Sequence, residues 1–348
     1  MVSLTRLRDE KHVYRDHDFV ETVEGWFFGV VSDIHPLGRI LAYLKYIPGE
    51  GIWSRGGATF KRVLTSYTSR EVAKTLEMVR TQRPRYIFHD PATDEDFIYV
   101  PVEAVKKHYR CDEKLGEILR RPRNSVENIC VKLVKRLSIE SHVEPSFFGL
   151  SGSLLIGLHN PAADIDLVVY GGENFRKTTK ASRETQTSVF RQETEKMLVR
   201  NFMHKYPLTE SEAAALAGRC ATKGLFEGVF YSLHGVKLVE EINVEYGQRT
   251  YRDMGVRKAK LRVLEDSEGV FTPALYLVED LESGGKAVEA LLCYDTTFAG
   301  LLEKGDVVEA VGKLERVEDF REGRTYYSLL VGSVKTAGVE YVKLLRTA

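Results

Sequence analysis

Residues 150–171 read LSGSLLIGLHNPAADIDLVVYG, and this stretch decides the fold. The pattern predicts a strand that ends at Gly152-Ser153, a helix that begins there, and a second strand that carries Asp164 and Asp166. Residues i and i+2 of a strand face the same side. The two aspartates therefore present two carboxylates on one face, about 7 Å apart at Cα.

The residue types in this stretch suit a phosphate group beside a metal ion. Glycine lets the backbone approach a ligand closely. Ser153 can cap the helix or donate its hydroxyl to a phosphate oxygen, and free amides at a helix N-terminus attract anions. Two carboxylates supply the hard oxygen ligands that Mg²⁺ (or Mn²⁺) prefers, and substrate phosphates complete the octahedron. The stretch therefore predicts a cation-dependent phosphate site.

The Gly-Ser pair, ten intervening residues and the Asp-Ile-Asp-Leu run resemble the signature of the DNA polymerase beta superfamily of nucleotidyltransferases. The phrases RDHDFVET (15–22) and HPLGRILAYLKYIP (35–48) extend the resemblance to an archaeal family of predicted nucleotidyltransferases. The resemblance implies that Gly152 and Ser153 hold the triphosphate of an NTP. It also implies that Asp164 and Asp166 bind two divalent ions, which support transfer of an NMP to an acceptor hydroxyl.

Members of this superfamily usually carry a third carboxylate on a later strand. If VKLVEEINV (236–244) is a strand, the candidates are Glu240 and Glu241, whose side chains would face opposite sides. The alternative is that the third carboxylate is missing. The chain would then be an impaired core that binds nucleotides or nucleic acid without turnover. A third alternative is an enzyme that transfers AMP to a partner protein.

The composition excludes several classes. The 348 residues correspond to two or three domains. Lys+Arg and Asp+Glu are 50 each, so a uniformly cationic, nucleic-acid-coating chain is excluded. No apolar run reaches about 18 residues, and the first residues are charged, so we expect neither a membrane span nor a signal peptide. Four widely spaced cysteines indicate no zinc site or disulfide framework, and we expect a cytoplasmic protein.

Three blocks predict an α+β multidomain protein. Residues 1–112 alternate β-like runs with one helix at 69–80 and predict a small α+β domain. Residues 113–250 contain an amphipathic helix at 125–137 and the motif stretch, and predict a nucleotidyltransferase-like, mixed-sheet α/β core. Residues 255–348 read as short strands separated by turns and predict an OB-like β-barrel.

The acceptor is left open by the sequence. A polynucleotide 3′ end, a protein hydroxyl and a small molecule all suit such a core. The barrel and the basic segment 120–136 favour a nucleic acid, RNA as readily as DNA, and the alternative for that segment is a charged helix surface. Tyr326 and Tyr327 either stack on bases or pack within the barrel.

Overall fold

The computed structural model describes residues 7–158, 163–185, 188–282 and 285–347. The protein is a mixed α+β chain, which confirms the predicted class, and it forms two compact units. The ranges of the first unit are Met1–Thr65, Ile98–Arg191 and Ala221–Asn243. Those of the second unit are Ser66–Phe97, Gln192–Cys220 and Val244–Ala348.

The helices and strands follow one another along the chain. The α-helices are α1 (Ser69–Gln82), α2 (Cys111–Arg120), α3 (Ser125–Ser141), α4 (Gly152–Ile156), α5 (Gly172–Thr185), α6 (Ser188–Lys205) and α7 (Glu210–Ala217). The strands are β1 (Phe19–Thr22), β2 (Phe27–Val30), β3 (Arg39–Arg55), β4 (Ala58–Arg62), β5 (Ile87–Asp90), β6 (Glu95–Pro101), β7 (Val105–Tyr109), β8 (Phe148–Leu150), β9 (Ile165–Tyr170), β10 (Lys223–Phe226), β11 (Val229–Val236), β12 (Arg249–Glu265), β13 (Ala274–Asp280), β14 (Val288–Cys293), β15 (Val307–Asp319), β16 (Arg324–Val331) and β17 (Tyr341–Arg346).

The predicted domain boundary near residue 112 lies inside the first unit, and the last range of the second unit begins at Val244, close to the predicted boundary near residue 250. Strand β7 pairs with β1, and α2 begins two residues after β7. Helix α2 then packs under β8 so closely that a Cβ on Gly149 would lie 2.9 Å from the Cβ of Cys111. Residues on both sides of residue 112 therefore belong to the first unit, whereas residues 66–97 belong to the second unit.

The first unit contains two sheets that share a core. Strands β3, β2, β1 and β7 pair in that order and are antiparallel, and the end of β6 pairs with β3. The second sheet has the order β10-β11-β9-β8, in which β11 and β9 are parallel and the outer pairs are antiparallel. Phe19 and Phe27 of the first sheet and Val168 and Val236 of the second belong to one buried cluster. This shared core holds the motif stretch against the N-terminal strands.

The second unit contains a curled sheet. Strands β12, β13, β14, β16 and β15 pair in that order, and β15 pairs back to β12, so the sheet closes on itself. The β14–β16 pair is parallel, the other pairs are antiparallel, and β17 adds to β15. Leu261, Tyr276, Leu291 and Leu329 fill its interior. Within the described ranges, no helix combines the length and the apolarity that crossing a bilayer needs.

One predicted element is wrong. The run VKLVEEINV was expected to be a strand over residues 236–244, but β11 ends at Val236, and residues 239–241 form a single turn of 3₁₀-helix. The helices predicted at 69–80 and 125–137 are confirmed as α1 and α3.

Candidate functional site

The Gly-Ser turn and the aspartate strand meet in the first unit. Gly152 begins α4 with a φ of 67°, a left-handed conformation that glycine adopts without strain. A Cβ at this position would lie 2.0 Å from Oδ2 of Asp166, so the carboxylate rests directly on the glycine. The backbone N–H of Ser151 also donates to the carbonyl of Asp166 at 2.8 Å. The contact that the motif predicts between these two elements is therefore present in the structure.

Helix α4 has only five residues. The macrodipole of a helix grows from aligned peptide units, so one turn contributes little to anion binding. The hydroxyl of Ser153 is the more informative group. It is buried, and it has no hydrogen-bond partner among the described residues. Because buried polar groups in native proteins are nearly always paired, the Ser153 hydroxyl calls for a partner that a ligand would supply.

The two aspartates differ in environment. Asp164 precedes β9 and is exposed, whereas the side chain of Asp166 is only 21% exposed. Burial alone would raise the pKa of Asp166, but the neighbouring imidazole of His234, the charge of Lys45 and the hydrogen bond from Ser232 hold that pKa well below its ordinary value. The pKa of Asp164 is raised, chiefly by the negative charge of Asp166. The two carboxylates are thus close enough to repel each other, and a bound cation would relieve that repulsion.

The neighbouring strand β11 supplies two further polar groups. Ser232 pairs in register with Asp166, and its Oγ lies 2.6 Å from Oδ1 of that aspartate. The same Oγ lies 2.8 Å from Nε2 of His234, which is 3.7 Å from the Asp166 Oδ1. Neither residue was predicted from the sequence. Their signal is the alternation in YSLHGV (231–236), where polar residues two apart interrupt an apolar strand.

The structure places Glu240 and Glu241 in the turn that follows β11. Glu241 accepts hydrogen bonds from the backbone N–H groups of Gly172 and Leu238, at 3.0 and 2.7 Å. It thereby caps the start of α5, at the end of β9 that is remote from Asp166. The four residues from Asp166 to the end of β9 span about 13 Å, at roughly 3.3 Å per residue. Glu240 lies in the same turn as Glu241, so the turn that carries both glutamates lies away from the aspartate pair.

The donor set fits one hard cation. Across the described ranges, no group of three or more His, Cys, Asp or Glu residues is arranged to hold a metal ion. An ion here would have Asp164 and Asp166 as its protein ligands and would complete its shell with water and phosphate. Mg²⁺ is usually bound in that way, through one or two carboxylates and substrate phosphates. A second ion would call for the third carboxylate, and Ser232 occupies the position beside Asp166.

The N-terminal strands add positive charge to the site. Lys45 in β3 is buried, and its charge helps to lower the pKa of Asp166 and limits the rise in the pKa of Asp164. The charge of Arg62 in β4 also limits the rise in the pKa of Asp164. The sequence did not predict these two residues, because they come near the aspartates only through the pairing of β3 with β4 and through the shared core.

Comparison with known proteins gives one extended similarity. The chain is 28% identical over 342 residues to the uncharacterized protein MJ1086 of Methanocaldococcus jannaschii, and the alignment covers 95% of this chain and 99% of that protein. No family model matches the chain. No solved structure matches it either. The similarity therefore spans both units, and the function has to be argued from the site.

Proposed function

We propose that the first unit is a metal-dependent nucleotidyltransferase that moves an NMP from an NTP to an acceptor hydroxyl. The observation that supports this most strongly is the direct contact between Gly152 and the carboxylate of Asp166. The Gly152 backbone makes room for the Asp166 carboxylate, and two adjacent carboxylates offer ligands to Mg²⁺ or Mn²⁺. The Ser153 hydroxyl, which has no partner among the described residues, offers a phosphate a hydrogen bond. A metal–triphosphate complex uses all three features together.

The proposed chemistry relies on positioning and charge. A divalent cation at this site supplies charge neutralisation for the phosphates and the developing oxyanion. Asp164 and Asp166 hold it, while the Gly152-Ser153 turn orients the β- and γ-phosphates. The acceptor oxygen forms a bond to the α-phosphorus, the bond from that phosphorus to the β-phosphate oxygen breaks, and pyrophosphate leaves. The hydroxyl proton is released to solvent. Most of the rate enhancement then comes from orientation and from fixed charges such as Lys45.

The test measures metal-dependent binding and transfer. The protein is incubated with each of the four α-³²P-labelled NTPs, Mg²⁺ or Mn²⁺, and an RNA or DNA oligonucleotide. We expect Asp164→Ala and Asp166→Ala to abolish both transfer and metal-dependent binding. The matched control is Glu103→Ala, which removes an exposed carboxylate elsewhere in the first unit. Unchanged binding and transfer in both aspartate variants would refute the assignment.

We further propose that the second unit is an OB-like barrel that binds single-stranded nucleic acid. The strand order β12-β13-β14-β16-β15, closed by the β12–β15 pair, is the order of OB-folds and supports this. Tyr326 is buried and Tyr327 packs against the core, so neither offers a free face to a base. Phe320 is 63% exposed in the turn between β15 and β16. We expect Phe320→Ala to weaken binding of oligo(U) or oligo(dT) by about 1–3 kcal/mol without changing the unfolding temperature.

One observation favours a second candidate function. The position beside Asp166 on β11 holds Ser232 and not a carboxylate, which suits a core that binds a metal–nucleotide complex without turning it over. Metal-dependent NTP binding without any labelled product identifies that case. A labelled protein band in place of a lengthened oligonucleotide identifies an AMP-transferring enzyme.

A further inference from the structure

The N-terminal segment reaches the candidate site through His17. This residue has a φ of 67°, a left-handed backbone conformation that non-glycine residues adopt rarely and that is often retained at functional sites. Its carbonyl oxygen accepts hydrogen bonds from Oγ of Ser151 at 2.6 Å and from Sγ of Cys111 at 3.2 Å. Ser151 directly precedes the Gly152-Ser153 turn. The backbone of His17 is therefore fixed to the phosphate-binding turn.

The ring of His17 contacts the other side of the same site. Its centroid lies 4.2 Å from that of His234, and the two ring planes are inclined by 34°. His234 in turn contacts Ser232, and Ser232 contacts Asp166. The ring thus lies against the hydrogen-bonded group that surrounds the Asp166 carboxylate.

A hydrogen bond from Nε2 of His17 does not explain the position of the ring. Nε2 is buried and has no hydrogen-bond partner within the described part of the chain, and Oδ2 of Asp16 is 3.5 Å away. Burial and the neighbouring imidazole of His234 hold the pKa of His17 well below its ordinary value. His17 therefore presents a neutral aromatic face to His234.

We propose that His17 is a positioning residue for the aspartate site, acting through His234 with its ring and through Ser151 with its carbonyl. The inference rests on the proposed nucleotidyltransferase function. It also assigns a role to the phrase RDHDFVET, which the motif chemistry did not use. Residues that orient the ligands of a metal typically change metal affinity or activity by roughly tenfold to a hundredfold when replaced. We expect an effect of that size at His17.

The experiment replaces His17 by asparagine, which tolerates left-handed backbone but has no ring. The control is His142→Asn, because His142 is also left-handed, with a φ of 56°, and lies at the exposed end of α3. The measurement is the affinity for each NTP in the presence of Mn²⁺, by calorimetry. We expect His17→Asn to weaken the metal-dependent binding roughly tenfold to a hundredfold, and His142→Asn to leave it unchanged.

A double-mutant cycle with His234→Ala separates positioning from a general loss of stability. If His17 acts through His234, the substitution His17→Asn has little further effect when His234 is already alanine. Wild-type affinity in His17→Asn, or a loss that is equally large in both backgrounds, would overturn the proposal. If His17→Asn does not fold, Ser151→Ala removes the hydrogen bond to the His17 carbonyl and leaves the ring in place. We expect roughly tenfold weaker binding, at the low end of the range for residues that orient ligands, and wild-type affinity would overturn the proposal.

Failure of the proposed function gives a different pattern. In that case the wild-type protein itself shows no metal-dependent binding of any NTP, and the role of His17 at this site fails with it. If the wild-type protein shows metal-dependent NTP binding and the His17 variants bind equally well, the inference about His17 is refuted and the proposed function is not.

Discussion

The contact between Gly152 and Asp166 leads to a quantitative prediction for Gly152→Ala. The new methyl group would lie 2.0 Å from Oδ2 of Asp166, which no relaxed structure tolerates, so the carboxylate has to move. Its movement breaks the 2.6 Å hydrogen bond from Ser232. Two energetic costs therefore add at this position, one from the backbone and one from the displaced carboxylate.

The magnitude follows from these two costs. Left-handed backbone costs an alanine roughly 1–2 kcal/mol relative to glycine. A hydrogen bond to a charged group is worth roughly 1.5–3 kcal/mol. The free energy of unfolding should fall by about 2.5–5 kcal/mol in Gly152→Ala. Gly228 provides the matched control, because it has a φ of 80° and nothing within 4 Å of a built Cβ. Gly228→Ala should cost the backbone term alone, about 1–2 kcal/mol.

The assay combines urea unfolding of both variants with Mn²⁺-dependent NTP binding. Gly152→Ala should lose binding as well as stability, and Gly228→Ala should retain wild-type affinity. Equal destabilisation in the two variants, together with intact nucleotide binding in Gly152→Ala, would show that the glycine and the carboxylate are not in the contact described.

Three further predictions test other parts of the molecule. Glu241→Ala should lower the free energy of unfolding by about 1–2 kcal/mol, because the N–H of Gly172 loses its cap, and NTP affinity should not change; a large loss of affinity at full stability would restore this glutamate as a site residue. Ser232→Asp should add a third carboxylate in register with Asp166. Urea unfolding should then show a lower stability without metal, because the carboxylates repel one another, and a larger stabilisation by Mn²⁺ than in the wild type. Absence of that larger stabilisation would argue against an ion at the aspartate pair. Burial tends to raise the pKa of Asp295, but the charge of Lys205 and the hydrogen bonds from Lys205 and Thr297 together lower that pKa to about 2. A carboxylate with a lowered pKa stabilises the fold at pH values above its ordinary pKa, which is near 3.8. The free energy of unfolding should therefore fall by about 2 kcal/mol as the pH falls from about 4 to 2. Asp295→Asn should flatten this loss in urea unfolding measured across that range, and an unchanged slope would contradict it.

The sequence allowed prediction of the local geometry of the motif. Glycine at residue 152 and aspartates two residues apart limit how the backbone can run, and the strand β9 with alternating buried Ile165 and Leu167 follows from period-2 patterning. The closed sheet of the second unit could also be predicted from the sequence, because short strands between turns have few ways to avoid exposed edges.

The residues that surround the aspartates were not predictable in the same way. Ser232 contacts Asp166 through strand register, the charge of Lys45 acts on it from β3, and His17 reaches its neighbour His234, so all three relations are long-range. Glu241 had the residue type expected for a third carboxylate, but β11 ends at Val236, whereas the pattern predicted a strand up to residue 244. Residue type alone did not show that this carboxylate caps a helix.

The interleaved course of the chain has a consequence for how the first unit is made. Strand β11 lies between β9 and β10 in its sheet, yet it is encoded at residues 229–236, after a long excursion into the second unit. During synthesis, β9 therefore has no parallel partner strand until residue 236 has left the ribosome. A fragment cut at residue 191 would expose the apolar edge of β9, and we expect such a fragment to aggregate, whereas the intact chain conceals that edge.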